Sequence, residues 1–229
     1  MSLFDGMSMA TGSSSNQSTQ EGFCFPASLS EKYRPHKFDD FVGLDKAKKV
    51  LSKFAASPFP NAAFMFVGPS GTGKTTMALA LCEAIRGELH HIPSQSCNVG
   101  TLEETVRMCH YVPRNNSLHV VLVDESDQMT PAAQLAFLSK LDGTAFPPQT
   151  VFIFTANDTV RLQPRFLSRC MTLEFSSHGM STGASALLAR IWQSEANGAP
   201  CPNFDRLVKD SRNNIRDCVN SLQVELLAV

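Results

Sequence analysis

The chain has 229 residues, of which 43% are hydrophobic and 18% charged, and 20 Lys and Arg face 21 Asp and Glu for a formal net charge of −1. That balance excludes wholesale disorder and a generally basic, histone-like protein, and the length allows one medium domain or a core with a smaller lobe. No apolar run approaches the roughly 18–20 residues of a membrane helix, so no membrane association is expected. The seven cysteines (Cys24, Cys82, Cys97, Cys109, Cys170, Cys201 and Cys218) lack paired spacing. Free thiols in a soluble, intracellular protein are therefore expected, and the absence of a C-x-x-C pair argues against a structural zinc site.

Residues 1–24 form a Ser/Gly/Asn/Gln-rich stretch with little to bury, and read as a disordered tail. The first helix is expected over Leu44–Ala56, with Ala47, Val50, Leu51 and Phe54 spaced along one buried face. Five apolar runs then alternate with helical stretches: Phe64–Val67, Leu89–Ile92, Leu118–Val123, Val151–Thr155 and Met171–Phe175. Continuous apolar runs suit strands covered on both faces, and the alternation implies an α/β fold with a five-stranded parallel sheet. The helix after the first strand, Thr75–Arg86, is expected to bury Ala78, Leu81, Cys82 and Ile85 and to end at Gly87 as its cap. After Phe175 the pattern becomes helical over 181–196 and 204–227, with Ile215, Val219, Leu222 and Leu226 as a stripe in the second. The chain is therefore divided into a core, 25–176, and a small α-helical lobe, 177–229.

Gly68-Pro69-Ser70-Gly71-Thr72-Gly73-Lys74-Thr75 fits G-x4-G-K-[ST] at every fixed position, between an expected strand and an expected helix. Glycines let backbone N–H groups turn inward around phosphate oxygens, and the helix N-terminus adds partial positive charge. Lys74 is expected at the β- and γ-phosphates and Thr75 on Mg2+. The binding stretch, Gly68, Pro69, Ser70, Gly71, Thr72, Gly73, Lys74 and Thr75, is extended to Thr76. The third apolar run ends in Asp124-Glu125. Asp124 is expected to hold the magnesium ion and Glu125 to polarise an attacking water. Asn157, just past the fourth run, stands where ligands bind in open α/β sheets and is expected to orient that water. The expected cofactors are ATP and Mg2+.

Glu31-Lys32-Tyr33-Arg34-Pro35, followed by Phe38-Asp39-Asp40-Phe41-Val42-Gly43, resembles the N-terminal box of clamp-loader ATPases. Asp124-Glu125-Ser126-Asp127 is similar to their D-E-A-D sequence, and Ser168-Arg169-Cys170 to their arginine-finger tripeptide. Asn214-Ile215-Arg216, then Asn220-Ser221-Leu222-Gln223, resembles their second sensor. The resemblance covers about residues 30–225 and is closest to replication factor C small subunits and to phage and archaeal clamp-loader subunits, within the AAA+ superfamily. It implies an AAA+ P-loop core followed by a helical lid. It implies Tyr33, Val42 and Gly43 near adenine and Arg216 on the γ-phosphate of its own subunit. Arg169, with Arg165 as the competing residue, would act in trans on a neighbouring subunit. The implied partners are other AAA+ subunits, DNA and a sliding clamp. Three features differ from the family pattern. No collar domain is expected after the helical lid, Ile92-Pro93-Ser94-Gln95 stands where Asn-Ala-Ser-Asp is frequent, and Ala132–Asp142 carries only Lys140 as a basic residue. The alternatives in view are an ATP-gated assembly or adaptor module with slow hydrolysis, and an AAA+ helper of recombination or transposition.

Overall fold

The computed structural model describes residues 27–113, 118–196 and 198–228. The 1–24 tail lies outside them. Five strands, β1 (Ala62–Val67), β2 (Glu88–Pro93), β3 (His119–Asp124), β4 (Thr150–Ala156) and β5 (Met171–Glu174), form one parallel sheet in the order β2-β3-β4-β1-β5. Each return to a parallel neighbour needs a crossover. The crossovers carry α3 (Lys74–Ala84), α4 (Val99–Met108), α5 (Pro131–Lys140) and the short α6 (Pro164–Leu167), after the N-terminal α1 (Leu29–Lys32) and α2 (Asp45–Ala56). The chain ends in α7 (Ser181–Glu195), α8 (Phe204–Asp210) and α9 (Ile215–Leu227). No helix of the described residues is long and apolar enough to cross a membrane.

The three central strands are covered on both faces. One face packs Phe64, Phe66, Leu122 and Ile153 against α2 and α3, and the other packs Met65, Val121, Phe152 and Phe154 against α4, α5 and α6. On the second face Phe137 meets Phe152, Phe154 and Phe166 edge to face, with ring centroids 6.1, 5.2 and 6.4 Å away. A third cluster joins α7, α8 and α9 through Leu188, Ile191, Trp192, Val208 and Leu222, and takes in Leu29 of α1. The Leu29 N–H donates to Gln223 Oε1 at 3.2 Å, and Lys32 and Tyr33 both reach Glu195. The segment before the sheet is therefore fastened to the C-terminal helices. The six described cysteines are all free.

Several expectations change. Strands β2 and β5 lie at the sheet edges, so Leu89 and Met171 are 41% exposed rather than covered on both faces. Val50, expected on the buried face of α2, is half exposed; Ala47, Leu51 and Phe54 carry that face. Gly87 is not the left-handed cap of α3, because Arg86 takes the positive φ (52°). The N–H of Gly87 then bonds the Cys82 carbonyl at 2.8 Å and that of Arg86 bonds Glu83 at 3.0 Å, closing a Schellman motif. Gly87 is needed for another reason, since a Cβ there would stand 2.4 Å from Val120 Cγ2. The helix expected over 204–227 is two, α8 and α9. Arg212 and Asn213 both adopt positive φ between them, and the Asn214 side chain caps α9 by accepting from the N–H groups of Arg216 and Asp217.

Phe137→Ala removes the ring on which three others converge and should lower the unfolding free energy by about 3–5 kcal/mol. Val50→Ala should change it by less than about 0.5 kcal/mol. Denaturant titration of both variants checks the difference.

Candidate nucleotide site

The P-loop leaves the C-terminal end of β1 and enters α3, and close packing dictates its glycines. A Cβ on Gly68 would stand 2.0 Å from the Phe175 carbonyl oxygen. Gly71 (φ 76°) leaves no room either, as its Cβ would meet Asn214 Oδ1 at 1.9 Å. The loop thus touches both the end of the sheet and the cap of α9. Thr72 Oγ1 donates to the Pro69 carbonyl at 2.8 Å and steadies the turn.

Lys74 is buried beneath this loop. Its Nζ donates to the carbonyls of Gly68 (2.7 Å) and Pro69 (3.0 Å) and to Asn157 Oδ1 (3.1 Å). Burial pulls its pKa below the ordinary lysine value, with Asp127 and Asp124 opposing that shift. The ammonium is therefore held without a full counter-charge, as an anion site requires.

Asp124, at the end of β3, accepts from Thr75 Oγ1 at 2.8 Å and, on the same Oδ1, from Thr155 Oγ1 through a short hydrogen bond. Thr155 in turn accepts the Glu125 N–H at 3.0 Å. Glu125 adopts a left-handed backbone (φ 52°), uncommon for a residue with a side chain, and its carboxylate is exposed at the cleft. Asp127 is buried and accepts the Asn157 N–H at 3.2 Å, which ties the turn after β3 to the turn after β4.

Two adjoining clefts result. A polar one of about 230 Å³ is lined by Ser70, Gly71, Gly73, Lys74, Thr75, Thr76, Asp124, Glu125, Thr155, Ala156, Asn157 and Arg216. A larger one of about 320 Å³ has an apolar wall from Leu29, Tyr33, Phe41, Val42, Met180, Leu187, Ile215 and Val219. Gly71, Gly73, Thr76 and Arg216 border both. The polar cleft suits phosphates and a hard cation on Thr75 and Asp124; the apolar cleft suits a heterocyclic base.

Most of the expected site residues are brought together here. Gly43 is not at the cleft wall; it packs against Met180, which itself lines the apolar cleft. Gly68 and Pro69 lie behind the loop, where their carbonyls hold Lys74. Arg169 and Arg165 line neither cleft. Arg169 is exposed, donates to the Arg165 carbonyl at 3.0 Å and stands 3.9 Å from Asp142. Thr155 and Asp127 were not expected at the site. Thr155 could have been noticed as a hydroxyl inside an otherwise apolar central strand.

A P-loop on β1, a paired acid at the end of β3, a polar amide after β4 and this strand order define the P-loop nucleoside triphosphatase fold. The model of the ATPase family associated with various cellular activities (AAA) matches residues 64–177, and the chain belongs to that family. Its sequence is 32% identical over 203 residues to replication factor C small subunit 1 of Pyrobaculum arsenaticum, covering 85% of this chain and 60% of the relative. It is 28% identical over 202 residues to the replication factor C small subunit of Picrophilus torridus, covering 84% and 62%. The chain thus spans about three-fifths of the length of these curated relatives. Among solved structures it is similar to the Thermotoga maritima RuvB Holliday junction branch migration motor, with a TM-score of 0.67 at 18% identity over 83% of this chain and 64% of that one. A point variant of the same motor gives 0.71, also at 18% identity and over the same shares. At that identity the likeness extends to the fold.

The Lys74 ammonium makes the next prediction. Its folded pKa is depressed below 10.5. Its burial therefore costs stability at neutral pH, and that cost is relieved as pH rises through the folded value. Phosphates at the loop supply the missing counter-charge, so nucleotide should move the pKa back upward. NMR titration of the labelled lysine with and without ATP reads the shift directly.

Proposed function

We propose that this chain is a magnesium-dependent ATPase of the clamp-loader kind, hydrolysing ATP to ADP and phosphate and remodelling a partner, such as a sliding clamp, on DNA. The observation that carries the reading is the convergence of Lys74, Thr75, Asp124, Glu125, Asn157 and Arg216 on one polar cleft beside an apolar one. Tyr33 and Val42 would flank adenine in the apolar cleft. Lys74 and the P-loop N–H groups would bind phosphate oxygens, while Thr75 and Asp124 would hold Mg2+. Glu125, exposed at the cleft, would polarise the water, and Asn157 would orient it. Arg216 would meet the γ-phosphate from α9. Catalysis would rest mainly on positioning and charge stabilisation.

Arg169 lines neither cleft of its own chain, which supports a role on a neighbour's ATP in an oligomer. An arginine supplied from outside makes hydrolysis depend on assembly. We read residues 25–176 as the ATPase core and 177–229 as its lid, in a soluble intracellular protein. The similarity to replication factor C small subunits supports the replication setting. The second reading is an ATP-gated assembly module in which hydrolysis only resets the switch. The single basic residue of α5, Lys140, favours it, since a DNA-facing helix would carry more positive charge.

Steady-state ATPase assays with no DNA, duplex and primer–template separate the two. Clamp-loader action predicts turnover stimulated by primer–template. ATP-dependent association with turnover indifferent to DNA would establish the switch instead. Glu125→Gln should bind ATP and lose at least 100-fold in turnover, as expected for removing a general base, whereas Lys74→Ala should lose binding. Arg169→Ala should bind ATP normally and hydrolyse it slowly. Mixing it with Lys74→Ala should restore part of the activity if the arginine works in trans.

A further inference from the structure

His90, Cys109 and His119 meet at the β2 edge of the sheet, remote from both clefts. One donor atom from each lies within 4.8 Å of the others. They come from three elements: His90 from β2, His119 from the first position of β3, and Cys109 from the C-cap of α4. Glu88 is paired with His119 in the parallel register, and its carboxylate comes to 4.0 Å from His119 Nδ1. His119 is 2% exposed and Cys109 fully buried.

Hydrogen bonding fixes the His119 tautomer. Its Nε2 lies 2.8 Å from the Tyr111 carbonyl oxygen, which can only accept. The proton is therefore on Nε2, and Nδ1 carries a lone pair. That lone pair points into the cluster, where His90 Nε2 stands 2.9 Å away and donates to it. A histidine tied to a backbone carbonyl through one nitrogen, with the other aimed at further donor groups, has the outer hydrogen bond that orients metal-ligating imidazoles.

We propose that His90, Cys109 and His119 form a binding site for a divalent cation of the zinc class, with Glu88 drawn in from its place beside His119 as fourth ligand. Two imidazoles, a thiolate and a carboxylate make a borderline-soft set suited to tetrahedral Zn2+. Bonds of about 2.0–2.1 Å to nitrogen and 2.3 Å to sulfur place such donors about 3.3–3.6 Å apart. The imidazoles need to separate by only a few tenths of an ångström from their present contact. On binding, the His90 proton moves through solvent from Nε2 to Nδ1, and the Cys109 thiol proton is released, now replaced by a sulfur–metal bond. The ion would pin the end of α4 to the sheet edge. It stands at the opposite end of β3 from Asp124, five residues or about 16 Å away, so its role is structural and independent of the nucleotide chemistry. Ligands drawn from three separate elements need no C-x-x-C spacing.

The test titrates the full chain, stripped with chelator and free of nucleotide, with Co2+ as a spectroscopic substitute for Zn2+. The proposal predicts saturation at about one ion per chain, with tetrahedral d–d bands and a thiolate-to-cobalt charge-transfer band that Zn2+ displaces. Cys109→Ser should abolish the charge-transfer band, and His119→Gln should weaken binding at least ten-fold. The double variant Cys24→Ser/Cys201→Ser should retain both signals. The wild-type and double-variant spectra decide the matter even if a core variant fails to fold. No thiolate band in the wild type, or a band lost in the double variant, overturns the proposal and leaves the cluster as a hydrogen-bonded part of the core.

Discussion

The carboxylate of Asp124 holds the site together. One oxygen accepts from Thr75 at the start of α3 and from Thr155 near the end of β4. Three neighbouring segments are tied at one atom, and Thr155 passes the constraint on through the Glu125 N–H. This works only because β3, β4 and β1 are adjacent and parallel, so their C-terminal ends open on the same side. In that order a crossover from each strand delivers its following turn to the same rim. Thr155→Val would remove one of the two donors to Asp124 Oδ1 and leave the Glu125 N–H without its acceptor.

The same rim is crowded by backbone. Gly68 lies against the carbonyl of Phe175 and Gly71 against the α9 cap, so the phosphate loop, β5's end and the C-terminal helices share one packing problem. Tyr33 and Lys32 add a second tie to those helices through Glu195. The third hydrophobic cluster therefore reaches the cleft from both ends of the sequence: Leu29 and Tyr33 from the start, Ile215 and Val219 from α9. A nucleotide placed here would touch the sheet and the helices at once. This gives a direct physical route by which its phosphates could set how the two parts sit, because Arg216 borders both clefts.

Much of this was legible in the sequence, for identifiable reasons. The five strands were visible because central strands of a parallel sheet are apolar throughout, and the P-loop because its geometry requires glycines and a lysine at fixed steps. The edges were less legible: an apolar run says nothing of whether a neighbour covers it, so Leu89 and Met171 looked buried. The α8–α9 break was hidden because Arg212 and Asn213, rather than Gly or Pro, take the left-handed turn. Gly87 was visible as a glycine, but its reason, contact with Val120, lies 33 residues away. The same holds for Asp127 and for His90, Cys109 and His119, whose meaning comes from tertiary contact and not from spacing.

We propose that a bound nucleotide bridges the P-loop and α9, with Arg216 reading the γ-phosphate. Comparing ATP and ADP affinities in Arg216→Ala and the unchanged protein tests it most directly. The variant should keep its ADP affinity and lose about ten-fold or more for ATP, the equivalent of at least ~1.4 kcal/mol for a charge-assisted contact. Equal losses for both nucleotides, or no loss for either, would contradict it.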